Sequence, residues 1–376
     1  MITLLATEVL LSCSLGLSTA ERIVLREREE LYRPKLEAVV QIAQEEKAWI
    51  RECQGSGGEL YMNGGSSINP YFACLAAQGL LSGEVSQEDL NAAQRYIDWH
   101  CKKFLKWDGQ VPDFRISKGR ETTSDPDSTD AYIAVFLSLI CRKAELTGTL
   151  KAEEKQVLTL GVEKLEALMF GGLTTVRTGD ARCYYMDNLE VLEACGRILQ
   201  LSNQQKGLED LGKRAGDMAR DISAAIGAKL WNPEQRCYEV GIMTDGKIIA
   251  AGSLQEFYPG GVAQVYGAFW GFPLSDRELE RELYKRFCKD FRWETMEFPD
   301  TSFYWSELAL AAAEFEDLER AESYLEAYRG LVKRDRSWPL HIGTAGWTAK
   351  ACGQLAEIYQ ERLDAGFLLG RRESSE

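Results

Sequence analysis

Hydrophobic positions along this chain fall into two kinds of segment that alternate from end to end. Six segments are apolar nearly all the way round a helical wheel: NPYFACLAAQGLL from Asn69, DSTDAYIAVFLSLI from Asp127, DNLEVLEACGRIL from Asp187, GGVAQVYGAFWGF from Gly260, SFYWSELALAAAEF from Ser302 and AGWTAKACGQLAEIY from Ala345. A helix with no polar face has no side to give to water, so these segments predict buried helices. Between them lie segments with an apolar stripe near i, i+3, i+4 and i+7 and a charged back: RPKLEAVVQIAQEEKAWI from Arg33, SQEDLNAAQRYIDWHCKKFL from Ser86, KAEEKQVLTLGVEKLEALM from Lys151, LEDLGKRAGDMARDISAAIGAKLW from Leu208, SDRELERELYKRFCKDF from Ser275 and DLERAESYLEAYRGLVKR from Asp317. These predict amphipathic covering helices, with capping-box spacing at Ser86 and Asp89 and at Ser275 and Glu278.

The alternation predicts an all-α fold, an (α/α)6 toroid in which the buried set forms the inner wall. The unit recurs at roughly 40 to 70 residues, so a solenoid is the competing arrangement, but no polar end caps for one are found. The domain organisation follows: an N-terminal segment over 1–32, the barrel over 33–366 and a polar tail over 367–376. The N-terminal segment has two readings. VLLSCSLGLSTA resembles a short signal h-region with Ser18 and Ala20 at small-residue positions, although the preceding MITLLATE lacks Lys and Arg and contains Glu8. The other reading is an extra helix running into ERIVLREREELY.

Connection lengths locate a site. Links from buried to covering helix are short, for example LSGEV and EFED. Links from covering to buried helix are long and rich in acids and aromatics, as in KWDGQVPDFRISKGRETTSDP and FRWETMEFPDT. Long loops inside a compact domain usually carry function. All six would gather at one end, around the N-termini of the inner helices. RCYEVGIMTDGKIIAAG alternates and turns at Asp245-Gly246, which predicts a small β-hairpin near 237–252.

A net charge of −14 argues against sequence-independent nucleic-acid binding. No stretch is long enough to span a membrane. The ten cysteines are scattered singly with no CxxC pair, so they read as small buried hydrophobes in a reducing compartment, with cytoplasm favoured over export. No metal or organic cofactor is implied, and the oligomeric state is left open.

The chemistry is carried by loop acids. Asp125, Asp127 and Asp130 lead into the second inner helix. Capping and the helix dipole account for one or two of them; Asp130 falls within the first turn and must face the mouth or be buried with a partner. Asp187 and Glu190 stand one turn apart at the third inner helix, and Asp300 precedes the fifth. Glu307 reads as an internal hydrogen-bond partner. Asp113 in VPDF and Glu256 in LQEF are further loop acids. Aromatic side chains gather with these acids, as a sugar site requires: apolar ring faces stack on Trp and Tyr while hydroxyls bond to carboxylates. Tyr71, Tyr132, Tyr258, Trp305 and Trp347 predict a sugar platform, with Asp125, Tyr185, Glu256, Gln264, Tyr304 and His341 as further contacts. Glycoside hydrolysis needs two carboxyl groups about 5 to 10 Å apart. The competing chemistries lack parts: there are two histidines, no GxSxG elbow and no phosphate-binding loop.

On these residues the chain resembles the six-hairpin, or (α/α)6-barrel, glycosidases, over nearly its whole length as architecture. DSTDAYIAVFLSLI is similar to the acidic helix start of the cellulase and chitosanase-like branch, whose Asp binds the sugar next to the cut. INPYFACLAAQGLL, YPGGVAQVYGAFWG and PDTSFYWSELALAA are similar to segments of bacterial members. That branch places a general-acid Glu at the start of the preceding inner helix; here GGSSINPYF has Ile68 and Asn69 instead. The resemblance implies that the acid comes from another loop (Asp130, Asp187 or Asp300), in the manner of the paired Asp residues of the unsaturated-glucuronide branch, or that the protein does not hydrolyse. The expected function is glycoside hydrolysis of a poly- or oligosaccharide, with Asp127 or Asp130 as one carboxyl, Asp187 as the other, and Glu190 and Asp300 next. The alternatives are a non-catalytic glycan- or partner-binding barrel, and a lyase or isomerase using His341 or a Tyr as base.

Overall fold

The computed structural model describes residues 19–117, 120–125, 128–251, 254, 256–270, 276–296 and 303–372. Its helices, in chain order, are α1 (Thr19–Glu52), α2 (Pro70–Leu80), α3 (Gln87–Lys106), α4 (Thr129–Thr147), α5 (Ala152–Leu168), α6 (Tyr185–Ser202), α7 (Glu209–Ala225), α8 (Arg277–Asp290), α9 (Glu307–Glu314), α10 (Leu318–Val332) and α11 (Ile342–Arg372). The helix starts follow local chemistry. Asn69 caps α2, its Oδ1 accepting from the Phe72 N–H at 3.0 Å, and Pro70 occupies the first turn, where its missing N–H costs nothing. Ser86 and Asp89 form the expected capping box of α3. Asp276 caps α8, one residue after the expected Ser275, which lies outside the described residues.

The inner elements close a ring. α2 packs on α4, α4 on α6, α6 on a 3-10 turn at Tyr266–Phe269, that turn on α9, α9 on α11, and α11 back on α2. The outer helices α1, α3, α5, α7 and α10 each cover an inner neighbour. This is the (α/α)6 toroid, and the contact between last and first inner helices distinguishes it from a solenoid. At the closing contact two glycines meet. A Cβ on Gly79 would lie 2.4 Å from the Gly346 Cα, and one on Gly346 would lie 2.4 Å from the Leu75 carbonyl oxygen. Only hydrogen fits there.

Three details differ from the sequence pattern. The fourth inner segment is not an α-helix. A π-turn at Phe257–Gly261 leads into the 3-10 turn at Tyr266–Phe269, because Pro259, Gly260, Gly261 and Gly267 weaken regular helix. The fifth inner helix begins only at Glu307, after residues 303–305, which lie outside regular secondary structure. The expected hairpin is narrower than 237–252. Gly241–Met243 pairs with Ile248–Ile249 across the Asp245-Gly246 turn and, on its other side, with Arg182–Tyr184, while Cys237–Tyr238 pairs with Trp231–Asn232. A second small sheet joins Ser67–Ile68, Phe114–Ser117 and Arg120–Thr123. At the ends, α1 runs unbroken through Pro34 and α11 continues to Arg372.

The nine described cysteines are buried free thiols. Among the described residues no helix is long and apolar enough to cross a membrane.

Candidate active site

The N-termini of the inner elements converge on a cavity of about 270 Å³. α2 contributes Tyr71 and Phe72, the start of α4 contributes Ser128 and Tyr132, and α6 contributes Met186, Asp187 and Glu190. The fourth unit adds Tyr258 and Tyr266, the approach to α9 adds Phe303, Tyr304, Trp305 and Glu307, and the start of α11 adds His341, Thr344 and Trp347. Asp113 enters from the loop after α3. Four carboxyl groups therefore face one space: Asp113, Asp187, Glu190 and Glu307. No Lys or Arg is among the described residues lining it.

Each carboxyl is held differently. Asp113 is half-buried, and its Oδ2 accepts from Asn69 Nδ2 at 3.1 Å, so the residue that caps α2 also fixes this acid. Asp187 is half-buried at the start of α6, with Ser128 Oγ donating to its Oδ2 at 3.0 Å. Glu190 is only 2% exposed. Its Oε1 accepts from the Tyr71 hydroxyl at 2.7 Å and from the Tyr266 hydroxyl at 2.5 Å, while its Oε2 is buried without a partner. Burial, and then the nearby charge of Asp187, hold the Glu190 carboxyl well above the usual range against the opposing effect of the two tyrosines. Glu307 is half-buried, and burial pushes it up to about 8, with its own backbone N–H and the charge of Lys350 opposing. Among the described residues no side chain hydrogen-bonds the Glu307 carboxylate, which corrects the expectation that Glu307 is an internal hydrogen-bond partner.

Aromatic rings supply the walls. His341 stacks against Phe72 with centroids 4.1 Å apart, and Tyr258 lies 5.2 Å from Trp305. Burial pushes His341 down to about 3, and its Nδ1 accepts from the Thr344 N–H at 3.3 Å. This imidazole is a neutral wall and helix cap, a poor base at ordinary pH. Cis peptides at Tyr258-Pro259 and Trp338-Pro339 lie in the loops at this end.

Of the acids expected from the sequence, the structure brings Asp187 and Glu190 to the cavity. Asp127 and Asp300 lie outside the described residues. Asp130 is fully buried and does not line the cavity: its carboxylate accepts from Ser128 Oγ at 2.9 Å, Thr174 Oγ1 at 2.8 Å and the Ala131 N–H at 2.9 Å. It ties the start of α4 to the strand Leu173–Thr174, the second of the two fates its position allowed. Of the expected sugar contacts, Tyr71, Tyr132, Tyr258, Tyr304, Trp305, His341 and Trp347 line the cavity. Four do not. Tyr185 stacks on Tyr238 at 4.7 Å behind the wall, and Gln264 is spent on the backbone of Tyr238 and Gly260. Asp125 and Glu256 are exposed outside it. The sequence reading passed over Asn69 and Tyr266 and left Asp113 unranked among the loop acids. For Asp113 the available signal was its place in an aromatic-flanked loop; for Tyr266 there was none, since it reads as core.

Among the described residues no cluster of His, Cys, Asp or Glu is arranged to hold a metal ion. The ring, the mouth and the loops define a six-hairpin (α/α)6 toroid of the kind found in glycosidases. No protein-family model matches the chain, and no curated protein matches it significantly in sequence. Solved structures do match. One described as a glycosidase is 14% identical with a TM-score of 0.61, covering 87% of this chain and 98% of the other. A Streptococcus pneumoniae protein from a family of metal-independent α-mannosidases is 11% identical with a TM-score of 0.58, over 92% and 99%. An unsaturated glucuronyl hydrolase specific for heparin is 13% identical with a TM-score of 0.57, over 87% and 98%. The shared property is the fold, and these structural neighbours are glycoside hydrolases.

Proposed function

We propose that this protein is a glycoside hydrolase whose barrel mouth cuts a glycosidic bond between Asp187 and Asp113. The observation that carries the reading is the convergence of four carboxyl groups and a wall of aromatic rings on one cavity of about 270 Å³. Asp187 and Asp113 are preferred as the pair for two reasons. They come from different segments, so they can flank a bond. Both are also half-buried, and each is held by a side-chain donor, Asn69 Nδ2 on Asp113 and Ser128 Oγ on Asp187, which Glu307 lacks among the described residues. Glu190, at 2% exposure and bound to two tyrosines, is too enclosed to cycle protons with solvent. In the reaction one carboxyl protonates the departing glycosidic oxygen. The other either attacks the anomeric carbon or deprotonates the attacking water.

The test is product release from a broad panel of oligo- and polysaccharides by wild type, Asp187→Asn and Asp113→Asn. Loss of a general acid or base costs about 10²- to 10⁴-fold, so both variants are expected to lose release while still binding sugar. Binding without release by wild type on every substrate would favour the non-catalytic glycan-binding reading, which the absence of an acid at Ile68-Asn69 also supports.

A further inference from the structure

Resting on the reading of the mouth as a sugar site, we propose that the glycone it takes is an uncharged, hydroxyl-presenting sugar and that uronates are rejected. Two atoms carry this. Glu190 Oε2 is buried without a partner on a residue that lines the cavity. The indole Nε1 of Trp305, on another lining residue, is also buried without a partner. Buried polar groups normally find hydrogen bonds, so two orphans at one cavity point to a ligand. The carboxyl oxygen needs a hydrogen-bond partner, and the indole N–H needs an acceptor. Sugar hydroxyls provide both.

A carboxylate on the sugar would add a further acid beside Asp113 and Asp187, in a space with no Lys or Arg among the described lining residues. Inside a cavity of low effective dielectric, such crowding of like charge is far more costly than in water. The neighbouring fold of a glucuronyl hydrolase therefore does not extend to this chain's choice of glycone.

The discriminating experiment is calorimetric titration, near neutral pH, of matched methyl glycosides. Each set contains a hexoside, its uronide and its 2-amino analogue, in the gluco, galacto and manno series and in both anomers. In the series that binds, the hexoside is expected to bind at least about tenfold tighter than its uronide. Equal or tighter uronide binding overturns the inference and leaves the hydrolase reading intact. An amino sugar about tenfold tighter than the hexoside overturns it in the other direction, by making the ligand a cation. Binding in no series sinks both readings.

A second arm assigns the contact. Glu190→Gln keeps an oxygen for Tyr71 and Tyr266 and puts an N–H where Oε2 stands. It is expected to weaken the hexoside about tenfold. Unchanged hexoside affinity in this variant, with its fold intact, removes Glu190 from the argument.

Discussion

Glu307 shows what the cavity does to a single side chain. In the unfolded chain its carboxyl titrates near 4.5; in the native state burial holds it near 8. Between those values the native protein binds more protons than the unfolded one, so this residue contributes a stability that is complete below about pH 4.5 and is lost as pH rises through about 8. Lys350 acts in the opposite sense. Burial pushes it down from 10.5 to about 7, so its contribution grows as pH rises across that window. The comparison must therefore be made on the difference between wild type and Glu307→Gln. The variant should match wild type in urea denaturation near pH 4.5 and exceed it by about 1 to 3 kcal/mol near pH 8.5. A parallel pH dependence for the two proteins would mean that Glu307 ionises normally. Asp130 is a different kind of acid, spent entirely on structure. Asp130→Ala removes the buried acceptor that Ser128, Thr174 and the Ala131 N–H share and should cost about 2 to 4 kcal/mol, whereas Asp187→Asn should leave stability within about 1 kcal/mol of wild type. If Asp187→Asn proves the more destabilising of the two, these roles have been exchanged.

At the level of elements, the close crossing of α2 and α11 sets the position of half the site. α2 carries Tyr71 and Phe72, and α11 begins with Thr344 and Trp347 close by. Gly346→Ala would drive a methyl group into the Leu75 carbonyl and the Ala76 Cα, both backbone atoms that cannot yield without moving a helix. We expect a loss of about 3 kcal/mol in urea denaturation and weaker sugar binding from the displaced wall. Stability within about 0.5 kcal/mol of wild type would show that the helices can separate without penalty. The element scale is also where sequence pattern served best and then stopped. The alternation of all-apolar and striped segments revealed all eleven helices and the end of the barrel that holds the site. It misjudged the fourth inner segment because apolar content says nothing of the backbone freedom of Gly260, Gly261 and Gly267. It misplaced Glu307 because residues 303–305 lie outside regular secondary structure, so the helix starts only at Glu307 rather than at Ser302. A one-turn error along a helix is enough to move an acid from an interior position to the mouth.

For the whole molecule the decisive property is closure. Periodicity shows that units repeat, and it is satisfied equally by a ring and by a solenoid. It also cannot tell which of several loop acids turn inward: Asp130 and Asp187 look alike in sequence, yet the ring delivers one to Thr174 and the other to the cavity. Closure has a measurable consequence. α11 packs against α1, α2 and α9, so it joins the last unit to the first. In an open array each repeat touches only its neighbours, and removing a terminal one leaves the rest folded. In a ring, removing α11 uncovers elements from both ends of the chain, α2 and α9, and among them the buried Leu75 and Ala76 whose backbone meets Gly346. A chain ending at residue 341 should therefore lose cooperative unfolding altogether, seen as a sloping thermal trace in circular dichroism and exposed apolar surface by dye binding. If that shortened chain instead melts in a sharp transition with its remaining helices intact, stability is local to each hairpin and the closed ring is not what holds the site together.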